Sequence, residues 1–139
     1  MHYFVSDIHL GSGNSTDSRR VERTFLDFLK QIENDAETLF LVGDIFDFWF
    51  EYGEVVPKGF TRILGRLAEL SDRGVRITMI TGNHDMWVGD YLERECGVIL
   101  HRQPCAVELH GKVFYLAHGD GLDYRDKAWK TRLMFWCFR

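Results

Sequence analysis

Short apolar runs alternate along the chain with longer stretches whose apolar residues recur at helical spacing. The largely apolar runs at residues 3–5, 38–42 and 75–81 predict three buried strands. Each of the two stretches between them has an apolar stripe that predicts an amphipathic helix, and the second helix is expected to begin near Pro57 and to stop at Gly74. The stripes consist of Val21, Phe25, Phe28, Leu29 and Ile32, and of Phe60, Ile63, Leu64, Leu67 and Leu70. This strand–helix–strand–helix–strand order is typical of a parallel sheet covered by helices on both faces.

The pattern changes after the third strand. Residues 88–95 predict a short helix, and residues 97–100 predict another strand. Two further short strands, at 106–109 and 112–117, are separated by a His-Gly turn, which predicts a β-hairpin. From Asp123 onward, aromatic and basic residues alternate at a spacing that predicts a final helix.

Composition narrows the class of protein. The 139 residues, 45% of them hydrophobic and 27% charged, fit one globular domain that can bury a core without disulfides. The formal net charge of −4, with no basic stripe, gives no reason to expect a nucleic-acid partner. No leader peptide or membrane-spanning run is evident, so we expect a cytoplasmic protein. Three cysteines without a Cys-x-x-Cys pair predict free thiols in a reducing compartment, namely Cys96, Cys105 and Cys137.

Four of the predicted strands end directly in histidine, aspartate or asparagine. These residues are Asp7 and His9 after the first strand, Asp44 and Asp47 after the second, Asn83, His84 and Asp85 after the third, and His118 after the hairpin. Taken singly, the motifs are explained at least as well by turns, by helix caps or by a hydrogen-bonded histidine. Because sites in open α/β sheets form outside the carboxyl ends of the strands, four such motifs together predict one functional site.

The residue types indicate a metal site. Asp7 and His9 are two positions apart in an extended segment and can face one ion, and Gly43 allows the sharp turn that would bring Asp44 to it. The set combines carboxylate, amide and imidazole without thiolate, which suits Mn(II), Fe(II) or Zn(II). Two such ions about 3.5–4 Å apart can clamp a phosphoryl group, and a carboxylate is the natural bridge between them. Asp44 is the expected bridge.

These motifs resemble those of the calcineurin-like metallophosphoesterases. The resemblance rests on Asp7-x-His9, Gly43-Asp44-x-x-Asp47, Gly82-Asn83-His84-Asp85 and His118, and it covers essentially the whole chain. It implies an α/β fold, a layered α-β-β-α sandwich, with residues 1–139 supplying roughly its N-terminal half. It also implies that Asp7 and His9 bind a first metal ion, that Asp44 bridges, and that Asn83 and His118 bind a second ion. His84 would then face the substrate, assisted by Asp47 or Asp85.

A narrower resemblance concerns the motifs at residues 6–11, 43–49 and 118–121, which are similar to those of pyrophosphatases that cleave UDP-2,3-diacylglucosamine in lipid A synthesis. It implies release of UMP and 2,3-diacylglucosamine 1-phosphate, commonly with Mn(II), at the cytoplasmic face of the inner membrane. The partner would be a nucleotide-linked glycolipid, with peripheral membrane contact. The best-known members have arginine where this chain has His84. The implied substrate-binding residues are Asn83, His84, Asp120 and Trp129.

The end of the chain departs from the family pattern. The family completes its metal sites with a Gly-His-x-His motif, and none follows His118. We therefore expect an N-terminal portion in which residues 123–139 begin a helical lid. The aromatic and basic residues of that segment suit either acyl chains and an anionic membrane or packing against a C-terminal half. The aromatic residues of 46–52 suit either a ligand-binding wall or the core. Two other functions stay open, another metallophosphodiesterase or nuclease and an inactive metal-binding fragment.

Overall fold

The computed structural model describes residues 1–119, which form three helices and six strands. The elements are β1 (His2–Val5), α1 (Ser15–Ile32), β2 (Thr38–Val42), α2 (Thr61–Asp72), β3 (Arg76–Ile80), α3 (Tyr91–Cys96), β4 (Val98–His101), β5 (Cys105–Leu109) and β6 (Lys112–Leu116). Within this part of the chain, no helix is both long enough and apolar enough to cross a membrane. The predicted helix from Asp123 and the predicted lid at 123–139 lie outside the described residues.

The first four strands form one parallel sheet in the order β1-β2-β3-β4. Val5 pairs with Leu41, and Val42 pairs with Ile80, so the strands end close to the same level. Because all four strands run in one direction, their carboxyl ends lie along a single edge of the sheet. This arrangement confirms the predicted parallel sheet and places the polar motifs at that edge.

The main core lies between one face of the sheet and the helices. Leu41 of β2 and Met79 of β3 point into it and meet the apolar stripes of α1 and α2, which include the fully buried Leu29 and Leu67. Helix α1 begins where the Asn14 side chain accepts the backbone N–H groups of the first turn, as expected for an N-cap residue. The two predicted amphipathic helices are confirmed.

The opposite face of the sheet is covered by strands rather than by helices. Side chains alternate along a strand, so Phe40 and Ile80 point away from the main core, and Leu116 of the β5–β6 hairpin packs against them. The hairpin turns at His110 and Gly111, both with positive φ (51° and 73°), as a two-residue hairpin turn requires. The expectation of helices on both faces is wrong for residues 1–119. Their layers are helix, sheet and hairpin, in agreement with the layered sandwich that the resemblance implied.

Two smaller predictions also change. Helix α2 begins at Thr61 rather than near Pro57, because Gly59 and Phe60 adopt left-handed conformations with φ of 102° and 58° that interrupt a helix. The expected free thiols are present at Cys96 and Cys105, whereas Cys137 lies beyond the residues that the structure describes.

Candidate metal centre

The loops that follow β1 and β2 run side by side beyond the ends of the strands. The backbone N–H of Asp7 donates to the carbonyl oxygen of Gly43 (3.1 Å), and the N–H of His9 donates to that of Asp44 (3.0 Å). A further bond joins the N–H of Leu10 to the carbonyl oxygen of Ile45 (2.9 Å). The parallel pairing therefore continues in irregular form, and it fixes Asp7 and His9 beside Asp44.

The loop after β3 is joined to the same segment from the other side. The backbone N–H of His84 donates to Oδ1 of Asp44 (3.0 Å), and the carbonyl oxygen of His84 accepts the N–H of Trp49 (3.4 Å). Three of the predicted motifs thus meet around the segment that contains Asp44. Their meeting point is the edge of the sheet that the sequence indicated.

Asp85 joins two of these loops from inside the protein. Its side chain is completely buried and accepts the N–H groups of Gly82 (2.7 Å) and Ile45 (2.8 Å), with a longer bond from Phe46 (3.4 Å). Burial raises the pKa of this carboxyl, and the backbone donors oppose that shift. Asp85 was predicted among the catalytic residues. Its position under the loops suits the supporting role that the resemblance offered, because the carboxylate does not open onto the edge of the sheet.

Three of the candidate ligands have a strained backbone. Asp7, His9 and Asp44 have φ values of 54°, 49° and 53°, in the left-handed region that residues with a side chain rarely adopt. Such conformations persist only where surrounding bonds impose them, and they cluster at functional sites. Sequence patterns carry no direct indication of this strain, although Gly43 (φ 77°) was correctly predicted as a sharp turn.

Asp44 lies at the centre of the cluster. Its side chain is about 5% exposed, and its Oδ2 lies 3.2 Å from Nε2 of His118 and 3.8 Å from Nε2 of His9. Its other oxygen is already engaged by the N–H of His84. One carboxylate oxygen therefore faces two imidazole nitrogens, which is the arrangement expected of a group shared by two cations.

The second nitrogen of each imidazole is held by the protein. Nδ1 of His118 lies 3.1 Å from the carbonyl oxygen of Val42, which can only accept, so this nitrogen is the donor and Nε2 is left to face Asp44. Nδ1 of His9 lies 3.3 Å from Oδ1 of Asp47. Histidines that bind metals are typically fixed in this way by a carbonyl or a carboxylate on the far nitrogen.

His84 stands at the open side of the cluster. Its side chain is 41% exposed, its ring meets that of His9 edge-on at 4.8 Å between centroids, and its Nδ1 donates to the carbonyl oxygen of Asp47 (2.8 Å). This bond leaves Nε2 available for a ligand. Asp47 thus contacts both histidines, one through its carboxylate and one through its backbone.

Two glycines make the close packing of the cluster possible. A Cβ at Gly43 would collide with the imidazole of His118, and a Cβ at Gly82 would collide with the carboxylate of Asp44 and approach its backbone nitrogen to 2.7 Å. The sharp turn at Gly43 was predicted from the sequence, whereas the close packing at Gly82 was not. The position of Gly82, directly after a predicted strand and before Asn-His, was the feature of the sequence that could have indicated this close packing.

The donor set fits metal ions. Two groups of side chains have ligand atoms within 4.8 Å of one another, and Asp44 belongs to both. One group adds His9 and His84, and the other adds Asp7 and His118. Within residues 1–119, no lysine or arginine forms an ion pair with the buried carboxylate of Asp44, and a nearby positive charge offsets the cost of burying such a group. Divalent cations would supply it.

Only one of the remaining predicted residues lies in the described part of the chain. Asn83 is exposed at the start of the third loop, next to His84. Asp120 and Trp129, predicted to contact substrate, lie outside the described residues.

The aromatic segment after Asp47 divides between core and surface. Phe46 and Trp49 are fully buried, with ring centroids 4.4 Å apart, and belong to the main core. Phe48 is 59% exposed and packs against Trp87 at 5.7 Å, so core packing was the wrong alternative for Phe48. Tyr52 is also exposed.

Comparison with known proteins agrees with this site. Residues 3–135 match the calcineurin-like phosphoesterase family, and the chain belongs to that family.

Two curated relatives carry the same name. The chain is 49% identical over 137 residues to a UDP-2,3-diacylglucosamine hydrolase of Porphyromonas gingivalis, and the alignment covers 99% of this chain and 52% of the relative. It is 35% identical over 134 residues to the hydrolase of that name from Pseudomonas aeruginosa, and that alignment covers 96% of this chain and 53% of the relative. The chain spans about half the length of these curated relatives.

A solved structure supports the fold. The crystal structure of a protein of unknown function from Aquifex aeolicus superposes with a TM-score of 0.59 at 20% identity. The match covers 97% of this chain and 69% of the other. At this identity the likeness concerns the architecture alone.

Proposed function

We propose that the protein takes part in metal-dependent hydrolysis of a phosphoanhydride, with UDP-2,3-diacylglucosamine as the substrate and UMP and 2,3-diacylglucosamine 1-phosphate as the products. The observation that carries this proposal is the position of Asp44, whose buried Oδ2 faces both His9 and His118. The substrate follows from the names of the relatives and from their identity with this chain.

The metal ions would be held by Asp7, His9, Asp44, Asn83 and His118, with Asp44 between them. Mn(II) is the proposed metal, and Fe(II) or Zn(II) would suit the same carboxylate and imidazole donors. When bound, two divalent ions polarise the phosphoryl oxygens and lower the pKa of water, which prepares it for attack near neutral pH.

The surrounding side chains orient the reaction. Asp47 holds the ring of His9, and its carbonyl oxygen holds the ring of His84 with Nε2 directed away from the bond. From that position the His84 ring in its protonated form, with a hydrogen on both nitrogens, donates through Nε2 to a phosphoryl oxygen of the substrate and offsets the charge that develops there. Asp85 keeps the loops of Gly82 and Ile45 in register, so it contributes by position rather than by contact.

Location follows from the substrate. A diacylated glycolipid is held in a membrane, so the protein would act at the cytoplasmic face of the inner membrane through peripheral contact. Sedimentation with phospholipid vesicles that contain the substrate tests this contact. A protein that stays in the supernatant at every substrate content would contradict it.

The activity is tested with Asp44→Ala. We expect Mn(II)-dependent release of UMP from UDP-2,3-diacylglucosamine in the wild type and at least about a thousandfold loss in the variant, since removal of the shared ligand disturbs both ions. Asp72→Ala, at an exposed position at the end of α2, is the matched control and should retain activity.

Substrate choice is tested in parallel with bis(p-nitrophenyl) phosphate and single-stranded DNA. The proposal predicts that UDP-2,3-diacylglucosamine is the preferred substrate. Faster cleavage of DNA or undiminished turnover by Asp44→Ala would contradict it.

A further inference from the structure

Glu51 connects two loops at a distance from the metal centre. Its Oε1 accepts the indole N–H of Trp49 (2.9 Å), and its Oε2 accepts the backbone N–H of Tyr91 (3.2 Å). Tyr91 begins α3, and the N-cap residue of that helix, Asp90, makes no capping bond with its side chain. Glu51 therefore supplies the missing cap from a segment 40 residues earlier in the chain.

A short series of contacts leads from Glu51 to the candidate ligands. Trp49 is fully buried, and its backbone N–H donates to the carbonyl oxygen of His84 (3.4 Å). The ring of His84 is in turn held by the carbonyl oxygen of Asp47 (2.8 Å), and the carboxylate of Asp47 lies 3.3 Å from His9. A shift of Trp49 would therefore be passed to both histidines.

The loop before α3 is shaped to receive the Glu51 carboxylate. A Cβ at Gly89 would collide with Oε2 of Glu51 and lie 2.8 Å from its Cδ, so any side chain there would displace the Glu51 carboxylate. The backbone of the same loop is held by Arg102, whose guanidinium donates to the carbonyl oxygens of Val88 (2.7 Å) and Gly89 (3.0 Å). Glu51 thus meets a firmly held partner, which allows it to fix the position of Trp49.

We infer that Glu51 is a positioning residue for the metal centre, acting with Gly89 through Trp49 on the loop that carries His84 and Asp47. The inference deepens the proposed function, since it assigns a residue to the same site. It requires that a change at Glu51 and a change at Gly89 disturb the metal centre in the same way.

The test is a double-mutant cycle between Glu51→Ala and Gly89→Ala. Each single substitution should lower kcat for UMP release about tenfold, with KM changed less than about twofold, because the contact orients the centre and does not bind substrate. The double variant should lie close to Glu51→Ala alone, since the carboxylate is gone and only the Cβ of residue 51 remains, 3.3 Å from the added methyl group. Gly65→Ala, with open space around its Cβ in α2, is the matched glycine control.

Glu51→Gln provides a second variant, because it keeps one acceptor oxygen and should lose less activity than Glu51→Ala. The inference is overturned if Glu51→Ala retains its kcat. It is also overturned if Gly89→Ala lowers kcat to the same extent in the Glu51→Ala background.

Binding of Mn(II) separates this inference from the proposed function. Titration calorimetry should show about tenfold weaker Mn(II) binding for Glu51→Ala and for Gly89→Ala, whichever substrate the protein hydrolyses. If the wild type does not release UMP, the proposed function fails, and the Mn(II) dissociation constant still decides the role of Glu51. An unchanged constant in both single variants would then overturn the inference.

Discussion

Replacement of Asp85 by asparagine tests how the loops of the metal centre are held. The carboxylate uses Oδ1 for the N–H of Gly82 and Oδ2 for the N–H of Ile45, with Phe46 at a longer distance. Asparagine has nearly the same shape but only one acceptor oxygen, and its NH2 group cannot accept. Whichever way the amide turns, at least one buried N–H group loses its acceptor and faces another donor.

The size of the effect follows from this geometry. One buried donor left unsatisfied costs about 1–3 kcal/mol, and bonds to a charged acceptor lie at the upper end of that range. Part of this loss is offset, because the neutral amide costs less free energy to bury than the ionised carboxylate. We therefore expect Asp85→Asn to lower the free energy of unfolding by about 2 kcal/mol. Because the unsatisfied N–H lies beside Asn83 or Asp44, Mn(II) affinity should fall about 10–100-fold.

Two assays check these values. Urea unfolding of the metal-free protein gives the change in the free energy of unfolding, and calorimetric titration with Mn(II) gives the change in affinity. Asp72→Asn, which makes the same chemical change at an exposed position, is the control and should leave both quantities unchanged. Wild-type stability together with wild-type Mn(II) affinity in Asp85→Asn would refute the account of the loops.

Three further substitutions test other parts of the account. Gly82→Ala should cost about 1–3 kcal/mol of stability in urea unfolding and weaken Mn(II) binding, because its Cβ collides with the carboxylate of Asp44, whereas Gly65→Ala should do neither. Asp47→Ala should weaken Mn(II) binding about tenfold in calorimetry, since it frees the ring of His9, and an unchanged affinity would contradict this. The Arg66 guanidinium holds the pKa of Glu33 below its ordinary value, so this pair stabilises the fold above that value and the contribution is lost as pH falls through the lowered pKa. Urea unfolding across acidic pH should therefore show a weaker loss of stability in Glu33→Gln than in the wild type.

The sequence predicts those parts of the fold in which the burial of a residue depends on its near neighbours along the chain. The apolar stripe through Phe25 and Leu29 is buried as predicted, because helical spacing alone places these residues on one face. The side of the sheet on which each layer packs was not predictable in this way. Every residue of β2 after Thr38 is apolar, so its sequence does not distinguish a face covered by helices from one covered by a hairpin.

The candidate site shows the same division. The edge of the sheet followed from Asp7, His9 and Asp44, because parallel strands align their carboxyl ends. His118 instead follows β6 of the antiparallel hairpin, so the alignment of parallel strands does not explain its position. The convergence of two imidazoles on one oxygen of Asp44 depends on left-handed backbone conformations that no local pattern requires.

Contacts between distant segments account for most of what sequence patterns missed. Glu51 faces Gly89 from a loop 38 positions away along the chain, and neither residue belongs to a recognisable motif. Similarly, Trp49 is buried and its neighbour Phe48 is exposed, a difference set by the packing of the loop against Phe46.

The most direct test of the central claim, that Asp44 is shared by two metal ions, is electron paramagnetic resonance of the protein loaded with Mn(II). The account predicts two Mn(II) ions per chain with the spectrum of an exchange-coupled pair, and loss of that coupling in Asp44→Ala. A spectrum of isolated Mn(II) ions in the wild type, or an unchanged coupled spectrum in Asp44→Ala, would contradict it.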